Sequence, residues 1–221
     1  MNVWRNILRR KGFRSVNLGL VGVAVWLGAG VAVAEPVKIL ALGDSLTAGY
    51  GLVKADAFTS QLQRALKADG LDVTVINAGV SGDTSAGGRT RLGWALADKP
   101  EAIIIELGAN DGLRGLEPAE TERNLDAIVG DVKARGLAVL LSGMKAPPNL
   151  GKEYGAKFNA IYPKLAKKHG VLFDPFFLEG VAADPALNQA DRVHPNVEGV
   201  QVIVNRLVPV VRELVARAQK Q

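Results

Sequence analysis

No cysteine occurs in the 221 residues. A disulfide, a thiol nucleophile, a thiolate metal ligand and a lipid-bearing cysteine are therefore all excluded. Histidine is nearly as scarce, with only two. Two separated histidines and no cysteine make a poor zinc set. Asp44, Asp83 and Asp111 offer oxygen ligands to a hard cation, but they fit separate roles better. Neither a G-x-G-x-x-G after the first strand nor a G-x-x-x-x-G-K-[ST] is present, so no phosphate cradle is indicated. The expectation is a chain without metal or cofactor.

Acidic residues are missing from one stretch in particular. The first 34 residues hold Arg5, Arg9, Arg10, Lys11 and Arg14 and no acid. They thus account for the whole formal charge of +5, because the rest carries 22 basic and 22 acidic residues. That neutral remainder argues against a nucleic-acid binder working by counterion release. The basic start is followed by an apolar run, Leu18 to Ala34, ending in Ala32-Val33-Ala34. A basic n-region, an apolar h-region and a small-x-small end form an export signal, with cleavage expected after Ala34. The organisation is then 1–34 signal peptide and 35–221 a single domain, periplasmic or secreted, with no lasting membrane anchor. Four glycines in the run weigh against an uncleaved anchor. Arg9-Arg10 leaves the export route open, since Lys11-Gly12-Phe13 fits a twin-arginine signal poorly.

What remains alternates between strand and helix. Val37–Leu42, Asp72–Ile76, Ala102–Leu107, Leu137–Leu141 and Val171–Phe173 read as five short apolar strands. Between them, helical spacing is found in Phe58–Leu66, Arg89–Ala97, the stretch from Pro118 to Gly136, and about Lys152–His169. A last helix carries Val200, Val204, Leu207, Val211 and Leu214, and Pro209 should kink it. Such alternation indicates an α/β domain: three α/β/α layers around a mostly parallel sheet of about five strands, in flavodoxin-like order. No repeat, low-complexity tract or internal linker interrupts it.

Ligands of such sheets bind at the carboxyl ends of the strands. The polar clusters fall there: Gly43-Asp44-Ser45-Leu46-Thr47, Asn77–Thr84, Gly108-Ala109-Asn110-Asp111-Gly112, and Asp191–Asn196 before the final helix. His169 ends a helix, where the dipole favours a cation, and reads as a solvated residue. His194 lies three positions after Asp191, so a turn can bring carboxylate to imidazole. Spacing alone leaves open whether His194 is catalytic or a capping contact. The nucleophile elbow G-x-S-x-G is absent, because Thr47 stands where its last glycine belongs.

Gly43-Asp44-Ser45-Leu46, Gly79, Gly108-Ala109-Asn110-Asp111 and Asp191-Arg192-Val193-His194 resemble, in order, the four blocks of the SGNH (GDSL) hydrolases. Ser81–Thr84, Glu106–Gly115, Ile161–Ala166 and His194-Pro195-Asn196 are similar to its bacterial periplasmic thioesterase/lysophospholipase/arylesterase subgroup, and the likeness spans residues 35–221. The resemblance implies a serine esterase without cofactor, acting on carboxylic esters and thioesters. Ser45 would be the nucleophile, His194 the general base and Asp191 its orienting acid. The oxyanion hole would consist of the Ser45 and Gly79 backbone N–H groups and the Asn110 amide. Ala109 departs from the glycine of many relatives and bears on the mobility of its loop. The acyl group is expected between the loop Asn110–Leu116 and the segment Met144–Tyr154, with Asp111, Leu113, Met144, Leu150 and Tyr154 as candidate substrate-binding residues. Asp44 and Gly82-Asp83-Thr84 read as loop ties. Two alternatives remain: an acetyl esterase acting on carbohydrate with the same triad, and a non-catalytic binding module. The partner expected is a small-molecule ester, with no nucleic acid, and the chain is expected to be monomeric.

Overall fold

The computed structural model describes residues 35–220. The expected signal peptide, its cut after Ala34 and Arg9-Arg10 lie outside the described residues. Five strands form one sheet: β1 (Val37–Gly43), β2 (Val73–Gly79), β3 (Ala102–Glu106), β4 (Ala138–Ser142) and β5 (Leu172–Asp174). Their order is β2-β1-β3-β4-β5 and every pairing is parallel. This is the expected flavodoxin-like order. The reason is legible along β3 and β4, where every residue is buried. A strand covered on both faces needs apolar side chains at successive positions, as Ile103-Ile104-Ile105 supplies.

Eight helices accompany the sheet among the described residues: α1 (Ser45–Ala48), α2 (Phe58–Ala68), α3 (Ser85–Ala95), α4 (Ala109–Leu113), α5 (Pro118–Ala134), α6 (Lys152–Asn159), α7 (Ile161–His169) and α8 (Val197–Ala218). Helix α2 packs on α8, and α5 packs on α3 and α7, with the sheet between the two groups. Val200, Ile203, Val204, Leu207, Val211 and Leu214 form the buried stripe of α8 at helical spacing.

The structure differs from the sequence reading in several places. First, β2 continues through Asn77 and Ala78 to Gly79, because these residues pair with Ala41, Leu42 and Gly43. Second, α3 begins at Ser85, not Arg89, with the Thr84 side chain accepting the Gly87 N–H at 3.3 Å. Third, the expected helix 152–169 is two helices, parted at Ala160. Pro163 explains the break: it has no N–H for the Asn159 carbonyl, and its ring crowds that carbonyl. Fourth, helix α8 is continuous through Pro209, the position where a kink is expected.

The register sets up everything that follows. Gly79, Gly43, Glu106, Ser142 and Asp174 stand opposite one another in one row across the carboxyl edge. The order reverses at β1, whose successors β2 and β3 lie on opposite sides. The loops leaving β1 and β3 therefore diverge there, opening a crevice at the switch point.

Candidate active site

Ser45 is the first residue of α1, immediately after β1. Asp44 caps that helix, its Oδ1 accepting the Leu46 N–H at 3.0 Å. The cap orients the turn so that Ser45 Oγ reaches His194 Nε2 at 2.9 Å. His194 Nδ1 in turn lies 2.7 Å from Asp191 Oδ2. Asp191 Oδ1 accepts the backbone N–H groups of Val193 and His194 at 2.9 and 3.0 Å. This tight turn forces Arg192 into the left-handed region, at φ +59°. The two backbone bonds, with the imidazole, hold the Asp191 carboxyl down at about 2. The spacing argument for Asp191 and His194 is borne out as geometry: the turn brings carboxylate and imidazole together.

A cavity of about 420 Å³ opens beside Ser45 and His194. Asn110, at the start of α4, lines it together with Gly82. Asn110 spends one amide N–H on Asp44 Oδ2, at 3.0 Å, which leaves its second N–H for the cavity. Burial pushes the Asp44 carboxyl up to about 6, opposed by the bonds from Leu46 and Asn110 and by the charge of His194.

Gly79 does not take the place expected of it. Its N–H is donated to Asn77 Oδ1 at 2.9 Å, and it is absent from the cavity wall. Gly79 needs to be glycine for another reason: a Cβ there would come within 2.2 Å of the Ala48 nitrogen. The strand runs three residues past its predicted end, so the loop that faces Ser45 is Val80–Thr84. Gly82 is the glycine on the wall, at φ +80°, and its N–H has no partner among the described residues. Arg114 Nη2 holds the Gly82 carbonyl at 2.7 Å.

The expected substrate walls divide. Leu113 and Met144 line the cavity. Asp111 does not, being 1% exposed. It accepts the Ser85 N–H at 2.8 Å, the Ser85 hydroxyl at 2.5 Å and the Thr121 hydroxyl at 3.1 Å, and so ties α4 to α3 and α5. Leu150 and Tyr154 are also off the wall. Tyr154 instead donates to the Leu116 carbonyl at 2.8 Å and stacks on Phe158. Leu46, Tyr50, Pro147, Pro148, Phe176, Leu178 and Val193 add apolar surface to the wall, and Ser81 and Lys145 add polar groups.

Several supporting residues escaped the sequence reading. The Tyr50 ring lies 4.6 Å from the His194 ring, centroid to centroid. Gln189 donates to the carbonyls of Tyr50 and Pro195 at 2.8 and 2.9 Å, stapling the histidine loop to the chain after α1. Arg91 joins the loops after β1 and β2: Nη2 to the Gly43 carbonyl at 2.9 Å, Nη1 to Ala78 at 2.7 Å, and Nε to Asp83 at 2.6 Å. That last pair bears out Asp83 as a loop tie. Arginine in α3 offered a faint signal, since a guanidinium on a half-buried face must find acceptors.

The GDSL-like Lipase/Acylhydrolase family matches residues 41–202, most of the described chain and all four polar loops. The chain belongs to this family. An arylesterase from Vibrio mimicus is 44% identical over 162 residues, covering 73% of this chain and 81% of that protein. The thioesterase 1/protease 1/lysophospholipase L1 of Escherichia coli K12 is 40% identical over 178 residues, covering 80% and 84%. Among solved structures, AlinE4, an SGNH-hydrolase family esterase, is 48% identical, with a TM-score of 0.70 and coverage of 82% of this chain and 98% of its own. The fold and the family are thus those expected from the four blocks, and the chain is an ester hydrolase.

Proposed function

We propose that this family member is a serine esterase whose reaction passes through an acyl-Ser45 intermediate. The carrying observation is the chain of contacts from Ser45 Oγ to His194 Nε2 and from His194 Nδ1 to Asp191, at the mouth of a largely apolar cavity. Ser45 Oγ attacks the acyl carbon while His194 Nε2 takes its proton. Asp191 fixes the tautomer and stabilises the imidazolium. The carbonyl oxygen gains charge and meets three neutral donors: the Ser45 and Gly82 N–H groups and the free amide hydrogen of Asn110. Each such donor supports catalysis by about 2.7–4 kcal/mol in comparable sites. His194 then returns its proton to the leaving oxygen or sulfur; water next attacks the acyl carbon as His194 takes its proton, and that proton passes to Ser45 Oγ as the acyl–Oγ bond breaks and the acid leaves.

The walls favour carboxylic esters and thioesters with an acyl or aryl group. Leu46, Leu113, Met144, Pro147 and Phe176 offer an apolar recess that outweighs the polar side chains on the wall, Asp44, Ser81, Asn110 and Lys145 beside Ser45 and His194. This supports the arylesterase, thioesterase and lysophospholipase reading over an acetyl esterase on carbohydrate. The relatives' names, arylesterase and thioesterase 1/protease 1/lysophospholipase L1, support it too. Export to the periplasm or beyond, by way of residues 1–34, belongs to the same reading, as does a monomeric state. No helix among the described residues is long and apolar enough to cross a membrane.

The test is hydrolysis of a p-nitrophenyl ester series, acetate to palmitate, by the chain from Glu35 beside Ser45→Ala and His194→Ala. Turnover is expected to vanish in both variants with the fold intact, and the optimum to lie at an acyl group longer than acetate. A fluorophosphonate probe should label Ser45 and leave Ser45→Ala unlabelled. Turnover surviving in either variant would overturn the triad. Absence of both turnover and labelling in the folded wild type would favour the binding module.

A further inference from the structure

Among the buried ionisable groups that the proposed chemistry does not use, Glu106 stands out. Glu106 ends β3 directly beneath the nucleophile turn and is 0% exposed. Its Oε2 accepts the Thr47 hydroxyl at 2.7 Å and the Asp44 N–H at 3.4 Å. Its Oε1 has no hydrogen-bond partner. No lysine or arginine reaches it among the described residues. Arg91 is spent on Asp83 and on the Gly43 and Ala78 carbonyls, and Arg206 on Asp174 and the Phe177 carbonyl. The groups facing this pocket are the carboxyls of Asp44 and Asp111, the Tyr162 hydroxyl, and His194 beyond Asp44.

Two buried carboxyls thus share one neighbourhood, and they are not equivalent. Asp44 collects the Leu46 N–H and the Asn110 amide, and faces His194. Glu106 has two donors on one oxygen and none on the other. A naked carboxylate oxygen in an apolar interior costs far more than an unpaired O–H. Two like charges this close also cannot both ionise readily.

We propose that Glu106 is a positioning residue that works as a neutral carboxylic acid, its carbonyl oxygen Oε2 holding Thr47 and Asp44 so that the turn between them presents Ser45 to His194. This deepens the serine-esterase reading and rests on it. Among the described residues, the Glu106–Thr47 and Glu106–Asp44 bonds clamp the two ends of Asp44-Ser45-Leu46-Thr47 to the sheet. Gly43 makes room for the clamp: a Cβ there would lie 2.0 Å from Thr47 Oγ1 and 2.6 Å from Glu106 Oε2. Glycine at the head of this block thus has a purpose besides turning the chain. Burial, then the charge of Asp44, push the Glu106 carboxyl well above the usual carboxylate range, which agrees with the neutral form.

The sign of its linkage separates this role from that of a structural anion. A carboxyl whose folded value is raised costs stability as pH climbs from its unfolded value, 4.5, toward the folded one. Glu106→Gln keeps a carbonyl acceptor and cannot ionise. Its stability relative to wild type should therefore rise between pH 5 and pH 8, measured by urea unfolding, and its kcat should stay within about threefold of wild type. Glu106→Leu removes the acceptor and should lower kcat by about 100-fold with KM little changed, as misplacement of a nucleophile does. Isotope-edited infrared spectra at pH 8 supply a readout independent of both activity and variant folding. Wild type should show the C=O stretch of a buried protonated carboxyl that disappears in Glu106→Gln. Two results would overturn the proposal: a carboxylate signature for Glu106 at that pH, or a Glu106→Gln variant whose destabilisation grows from pH 5 to pH 8. If Ser45→Ala stayed active while the protonated band was present, the nucleophile assignment would fail and the protonation state of Glu106 would stand.

Discussion

At the scale of single residues, the site separates groups that meet the substrate from groups that hold them. Asn110 does both, since one amide hydrogen binds Asp44 and the other faces the cavity. Asn110→Ala should therefore lower kcat by about 10²–10³-fold while KM changes little, because the lost bond forms in the transition state. Steady-state kinetics on a p-nitrophenyl ester checks this, and a change confined to KM would contradict it. Asp191 makes a different prediction. Its folded carboxyl lies at about 2, below its unfolded value of 3.8. A depressed carboxylate contributes stability above the unfolded value and loses it as pH falls through the folded one. The stability gap between wild type and Asp191→Asn should therefore be constant above about pH 4 and shrink between there and pH 2 in acid-denaturation curves. It should be small, because Asp191 is 40% exposed and solvent screens it. A gap independent of acid would mean that the two backbone bonds do not select the charged form.

Elements decide which residues reach the site. Helix α4 starts at Gly108, whose φ of +113° is open to glycine and strained for other residues. A Cβ there would also lie 2.1 Å from the Tyr162 hydroxyl, which donates to the Leu107 carbonyl at 3.0 Å. Gly108→Ala should thus cost about 3 kcal/mol in urea unfolding, from strain and overpacking together. It should also lower kcat, because Asn110 is carried on the same short helix. A variant as stable and active as wild type would show that α4 can shift without consequence. The same scale explains which parts of the site were legible. Ser45, Asn110 and His194 follow recognisable apolar runs or sit at a helix entrance, so local pattern placed them. The resemblance assigns Gly79 to the oxyanion hole, just past a β2 that reads as Asp72–Ile76. Pairing with β1 extends it by three residues and hands the cavity wall to Gly82. No local propensity carries that information, since Asn-Ala-Gly reads as a loop until a partner strand supplies its hydrogen bonds.

Across the whole molecule, one apolar core supports the sheet and both helical layers, with no cysteine to reinforce it. The chain from Glu35 should therefore unfold in a single cooperative transition, with fluorescence and circular dichroism coinciding. Separate transitions would reveal independently stable parts. Ile104→Ala, at a fully buried position in the middle of β3, should cost about 2–5 kcal/mol by the same measurement, through lost transfer energy and the cavity left behind.

By itself the sequence determined the strand-helix alternation, the order of the polar loops and the Asp191–His194 turn. These depend on neighbours within one element or one turn, where periodicity and spacing carry the physics. Only the tertiary structure decided which residues wall the cavity. It put Phe176 and Leu178 there, and it turned Asp111 inward to Ser85 and Thr121 and Tyr154 away to Leu116. It likewise set Glu106 under Thr47, 59 residues distant in the chain. Contacts of that range follow from strand order and register, which arise when the chain buries its apolar surface as a whole.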